Sequence, residues 1–118
     1  NENDTVAVKE IQVGDNDTLS AQVAALIEAD LLIILTTVDG LLKDDKVVPV
    51  VHKIDKSIMG LARGPGSSIG IGGMVTKLQA AEIAAEGGVD TIIAHGRRPK
   101  VLLELAAGKK LGTRFSLR

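Results

Sequence analysis

The sequence predicts an α/β fold: a mainly parallel sheet with helices on both faces. Two short unalternating apolar runs, at residues 31–35 and 91–94, carry that prediction because such runs suit strands covered on both faces. Stretches with helical spacing lie between and after them, so strand and helix signals alternate along the chain. With 118 residues the chain is sized for one domain, and neither a repeat nor a linker divides it.

Each element follows from local chemistry. Residues 6–8 and 11–13 are β-like and predict a hairpin or two edge strands. Residues 14–17 carry turn chemistry, after which Asp17 or Thr18 can cap a helix. Leu19, Val23, Leu26 and Ile27 would form the apolar face of that helix. The run at 31–35 predicts a strand buried on both faces, ended by a tight turn at Thr36-Thr37-Val38-Asp39-Gly40. Residues 47–51 predict an edge strand, since Pro49 cannot donate a ladder hydrogen bond.

A glycine-rich loop at 60–73 then leads into a second helix, about 74–86, with Leu78, Ala81, Ile83 and Ala85 apolar. Gly87-Gly88 supplies its stop. After the strand at 91–94, Pro99 suits the first turn of a third helix bearing Val101, Leu102 and Leu105 and ending near Gly108. Residues 111–117 predict a final strand.

Composition excludes several functions. Fourteen Lys and Arg against 15 Asp and Glu give a net charge of −1, so no global basic field attracts nucleic acid. Phe115 is the only aromatic residue, which removes base stacking as a means of recognition. Cysteine is absent, and with it disulfides, thiolate zinc sites and thiol nucleophiles. His52 and His95 are too few for a histidine metal cage and read as ordinary surface or loop residues. No apolar run approaches the ~20 residues that span a bilayer, and no signal peptide opens the chain. A cytoplasmic protein without membrane or nucleic-acid partners is therefore expected. The start at Asn1, without Met, suggests a piece of something longer.

Open α/β sheets bind ligands beyond the carboxyl ends of their strands. Three polar segments are expected to converge there: residues 14–17, 36–40 and 70–77. In the third, glycines let backbone N–H groups approach an anion, and a helix N-terminus follows with Lys77 one turn in. Its spacing matches neither a Walker A motif nor a dinucleotide fingerprint, because Val75 occupies the third glycine position. Phosphate binding and a plain loop followed by a solvated lysine both fit. Asp4, Asp15 and Asp17, beside Asn3 and Asn16, can hold an ammonium group, a magnesium ion or a catalytic lysine; they equally suit turns and caps. Arg97, Arg98 and Lys100, like Lys109 and Lys110, read as solvated basic clusters.

Together, Asn1-Glu2-Asn3-Asp4, Gly14-Asp15-Asn16-Asp17, Asp39-Gly40-Leu41, Gly72-Gly73-Met74, Thr76-Lys77-Leu78-Gln79-Ala80-Ala81 and Gly96-Arg97-Arg98-Pro99 resemble the amino acid kinase family. The resemblance runs on through Gly112-Thr113-Arg114-Phe115 and covers nearly the whole chain. It is nearest the branch that phosphorylates the side-chain carboxylate of L-glutamate with ATP and Mg²⁺, the first step of proline biosynthesis. It implies a partial three-layer sandwich, the C-terminal part of the kinase domain across residues 1–118, and a homo-oligomer.

By the same resemblance, Asp4, Asp15 and Asn16 would face the glutamate, and Asp17 would position catalytic lysines, Lys77 among them. Thr36, Thr37, Ile71, Gly72, Gly73, Met74, Val75, Thr76 and Lys77 would hold ATP. The chain departs from the family where Thr37 replaces Asp and Ile71 replaces Thr, and where the loop after Leu42 is short. The family's N-terminal half, with its first-strand lysine and glycine-serine loop, has no counterpart in the sequence. A nucleotide-binding part without turnover, or a kinase with another acceptor, would be the alternative functions.

Overall fold

A computed structural model describes residues 15–63 and 73–117. The hairpin expected at 6–13 lies outside them. The chain forms α1 (Asp15–Leu26), β1 (Leu31–Thr36), β2 (Leu42–Lys43), β3 (Lys46–Val47), β4 (Val50–Val51), α2 (Lys56–Arg63), α3 (Gly73–Glu86), β5 (Asp90–His95), α4 (Val101–Ala106) and β6 (Thr113–Phe115). Four strands make one sheet in the order β1-β5-β6-β4, and β2 pairs with β3 in a small separate hairpin. The β1–β5 and β4–β6 pairings are parallel and β5–β6 is antiparallel, so the sheet is mixed but mostly parallel.

Strand alternation divides the core between the two faces. Ile34 and Ile93 turn toward α1, α2 and α3, whereas Ile92 and Ala94 meet Val101 and Leu105 of α4 on the other side. Helices therefore cover both faces, as expected. Only β5 matches the doubly buried strand in full. β1 lies at an end of the described sheet, and Leu35 is 42% exposed.

α1 inverts its predicted face. Leu19, Val23, Leu26 and Ile27 are 47–83% exposed, and the helix buries Ala21 and Ala24 instead. The reason lies in its neighbour. Asp17 in the first turn of α1 meets Lys77 near the start of α3, and Ala25 near the end of α1 abuts Gly87 just past the end of α3. The two helices thus run side by side in parallel. Helical periodicity places Asp17, Ala21, Ala24 and Ala25 on one face of α1, and Lys77, Ala80, Ala84 and Gly87 on one face of α3. A Cβ on Gly87 would sit 2.4 Å from the Cβ of Ala25, so the small residues set the approach. Hydrophobic size points to the leucine face; close packing selects the alanine face. The cap also differs, because α1 begins at Asp15 and Asp17 lies inside its first turn.

Other corrections have equally local causes. The strand expected over 47–51 divides at Val48 and Pro49: Val47 joins the β2–β3 hairpin, and Val50–Val51 forms the sheet edge beyond the proline. α2 occupies a stretch in which Gly60 was expected to begin a loop. Its start is an Asp55 cap, whose Oδ1 accepts the Ile58 N–H at 3.0 Å. In α3, Leu78 and Ala81 are buried as expected, with Met74, Ala80 and Ala84, whereas Ile83 and Ala85 are only half-buried. Gly87-Gly88 ends the helix: Gly88 has φ 80°, and the Val89 N–H bonds to the Ala84 carbonyl at 2.9 Å. Pro99 stands in the turn before α4, whose cap is Lys100, and Leu102 is 52% exposed.

Candidate functional site

In each helix-to-strand unit the helix runs antiparallel to the strand that follows, so α1 and α3 start at the end of the sheet where β1 and β5 finish. Both helix N-termini, the Thr36-Thr37 turn after β1 and His95 at the end of β5 thus share one end of the molecule. α3, with 14 residues, carries in its first turn N–H groups that have no partner within the helix, together with the positive end of its dipole.

Lys77 lies in the second turn of α3, where a positive charge gains nothing from that dipole. It is held there by Asp17. Lys77 Nζ is 3.1 Å from Asp17 Oδ2, with side chains 12% and 17% exposed. The Thr76 hydroxyl lies within donating distance of both the Gly73 carbonyl, at 2.9 Å, and Asp17 Oδ2, at 3.2 Å. Asp17 is itself steadied by the helix, since the Ser20 hydroxyl donates to its carbonyl at 2.7 Å. The result is a lysine of restricted rotamer freedom, half-buried between two helix starts. Such a group can neutralise an anion at a defined place.

The structure joins Asp17, Thr76 and Lys77 directly. Asn16 is half-buried in the same first turn of α1, and Asp15 opens it. Thr36 and Thr37 stand at the same end of the sheet, where the Gly96 N–H donates to the Thr36 carbonyl at 2.8 Å. Among the described residues neither threonine side chain bonds to the Asp17–Lys77 pair. Gly73 and Met74 are buried, and Met74, at 5% exposure, packs its side chain into the core. Val75 is half-buried and also packs against the core. Asp4, Ile71 and Gly72 lie outside the described residues.

Thr76 is expected from the sequence among the residues that would hold ATP, but its contact with Asp17 is not, although an (i, i−3) threonine next to the lysine is the signal that finds it. A cavity of about 430 Å³ lined by His52, Glu82 and Glu86 lies apart from the Asp17–Lys77 pair. It sits near the far end of α3, about 13 Å along the helix from Lys77, and outside the reach of both helix N-termini.

The fold and its polar end define an α/β protein with charged and backbone groups gathered beyond the carboxyl ends of parallel strands. The chain belongs to the amino acid kinase family, whose model matches residues 1–95. It is 53% identical over 122 residues to a glutamate 5-kinase of Caldanaerobacter subterraneus subsp. tengcongensis, covering 98% of this chain and 33% of that protein. Identity is also 53% to a glutamate 5-kinase of Deinococcus radiodurans, with 98% of this chain and 34% of that protein covered. The chain thus spans about a third of the length of these curated relatives.

Among solved structures, N-acetylglutamate synthase from Neisseria gonorrhoeae superposes with a TM-score of 0.66 at 25% identity, covering 86% of this chain and 23% of that one. Uridylate kinase from Archaeoglobus fulgidus gives 0.57 at 22% identity, with 84% and 45% covered, and shows the shared fold.

Proposed function

We propose that this chain is the nucleotide-binding, C-terminal part of a kinase that transfers the γ-phosphoryl group of ATP to the side-chain carboxylate of L-glutamate, yielding glutamyl 5-phosphate for proline biosynthesis. The observation that carries this reading is the Asp17–Thr76–Lys77 contact beside the N-termini of α1 and α3. Relatives named glutamate 5-kinase, 53% identical, point to the same acceptor. Phosphoryl transfer depends on positioning and on neutralising charge spread over phosphate oxygens. Lys77 would supply the charge, the first-turn N–H groups of α3 would donate to phosphate oxygens, and Asp17 would fix the ammonium without touching substrate. Thr36, Thr37 and residues 71–77 would border the ATP, while Asp4, Asp15 and Asn16 would receive the glutamate. Mg²⁺ fits as an ion carried on the phosphates, since it is usually bound through one or two carboxylates plus phosphate oxygens.

No helix among the described residues is long and apolar enough to cross a membrane. A cytoplasmic homo-oligomer acting on small molecules is part of the proposal. Thr37, where the family usually has Asp, supports a second reading in which this part binds nucleotide without turnover of its own.

Calorimetric titration with Mg²⁺–ATP tests the site. Saturable binding should weaken by about tenfold or more in Lys77→Ala, the loss of one charge-assisted contact; equal affinity in the variant would defeat the assignment. Hydroxylamine trapping then reads the reaction itself. Hydroxamate formed from glutamate supports the kinase, and its absence from a competent ATP binder supports the second reading.

A further inference from the structure

The basic residues near α4 are not spread evenly over the surface. From Arg97 to Lys110 the chain carries Arg97, Arg98, Lys100, Lys109 and Lys110 against the single carboxylate of Glu104, in a protein of net charge −1. Folding brings two of these cations to one cavity. A space of about 350 Å³ is lined by Arg98 and Lys110, with His95 and Asp39, against apolar walls that include Val101 and Leu111. That volume lies within the range of small-molecule sites.

The donors there are only partly engaged. Glu104 accepts from Arg98 Nε at 3.1 Å and lies 3.9 Å from Lys109 Nζ. Arg98 keeps its terminal amino groups, and Lys110 makes no ion pair among the described residues. The Arg97 N–H donates to His95 Nδ1 at 3.0 Å, which makes Nδ1 the acceptor and leaves Nε2–H as the donor of the neutral ring. Gly112 sets the approach: with φ 69° and a virtual Cβ only 2.1 Å from the Ile93 carbonyl oxygen, it admits no side chain and presses the Lys110-Leu111 segment onto the end of β5.

Ala94 and Val101 place the cavity on the α4 face, across the sheet from the core that carries α1 and α3. It is nevertheless at the carboxyl end of β1 and β5, the general ligand end of such sheets.

We propose that this cavity is a second binding site, on the opposite face of the sheet from the Asp17–Lys77 pair, for a small organic oxyanion: an apolar or ring-bearing body carrying a phosphate or carboxylate group. Arg98, Lys110 and His95 would take the anionic group, since charge-assisted bonds from a guanidinium and an ammonium are the strongest available. Val101 and Leu111 would cover the body. Asp39 limits the charge accepted there and disfavours polyanions.

NMR titration of the 118-residue chain with phenyl phosphate, benzoate and inorganic phosphate tests the inference. Phenyl phosphate or benzoate should give saturable shifts at the His95, Leu111 and Gly112 amides; saturation by phenyl phosphate alone identifies a phosphate ligand, and by benzoate a carboxylate. Inorganic phosphate, which has no apolar body, should bind more weakly. Lys110→Ala should weaken binding about tenfold, Lys110→Arg should retain it, and Lys77→Ala should leave it unchanged. The inference is overturned if neither organic anion saturates, if Lys110→Ala binds as well as the parent chain, or if Lys77→Ala abolishes the shifts and so returns the anion to the other site.

Discussion

On one face of the sheet, α1 and α3 lie in parallel on a ladder of alanines, and the cluster beneath them holds fourteen buried residues among those described. On the other face, α4 covers a cluster of four: Ile92, Ala94, Val101 and Leu105. The first face brings helix N-termini to one end with little freedom, because close-packed small side chains leave few alternative arrangements. The second has a short helix of six residues that seals the strand surface and leaves a basic rim around a cavity. The role proposed for Lys77 would benefit from the first kind of support, since small misplacements of a catalytic group are costly in rate.

Truncating one core residue on each face is the strongest way to break this comparison. Phe115, 1% exposed, belongs to the larger cluster, and Phe115→Ala should cost about 3–5 kcal/mol in urea unfolding. Leu105, 5% exposed, belongs to the smaller one, and Leu105→Ala should fall near the low end of its class, about 2 kcal/mol. Equal losses would show that the two faces form one core of uniform packing.

Two glycine substitutions sharpen the point by having opposite signs. Gly87→Ala puts a methyl against Ala25 in the helix–helix contact, and overpacking there should destabilise by about 1–3 kcal/mol. Thermal melting reads the loss, and an unchanged Tm would show that α1 can retreat freely. Between these two in magnitude stands Thr91→Val. Thr91 is fully buried and its hydroxyl has no partner among the described residues, so the swap should stabilise by about 1 kcal/mol. Destabilisation would mean that the hydroxyl is bonded in solution. Smallest is Gly60→Ala, on α2 with open space around it, which should stabilise by about 0.5–1 kcal/mol through helix propensity. A loss there would show that α2 is not helical at Gly60 in solution.

Much of this architecture was legible in residue order. The runs at 31–35 and 91–94, the Gly87-Gly88 stop and the apolar pair Val101 and Leu105 each encode their element within a few residues. The polar segments around Asp17 and Lys77 were legible too, because turn chemistry and helix starts are local signals. α2 was hidden by Gly60, although the Asp55 cap announces it. The break at Pro49 was half visible: the proline marked an edge but did not tell which residues would join the hairpin and which the sheet.

By itself, then, the sequence determined the alternation of strand and helix, and hence an α/β fold with its polar groups at the carboxyl ends of strands. Tertiary structure alone decided which face of α1 is buried. Periodicity finds Leu19, Val23, Leu26 and Ile27 as readily as Ala21 and Ala24, and only the nearness of α3, with Gly87 against Ala25, selects the alanines. The same holds for Arg98 and Lys110 at one cavity; the family resemblance anticipates the pairing of Asp17 with Lys77, sixty positions apart, but no local signal does. Local signals act over a few residues; the contacts that assemble a site span the chain, and packing decides them.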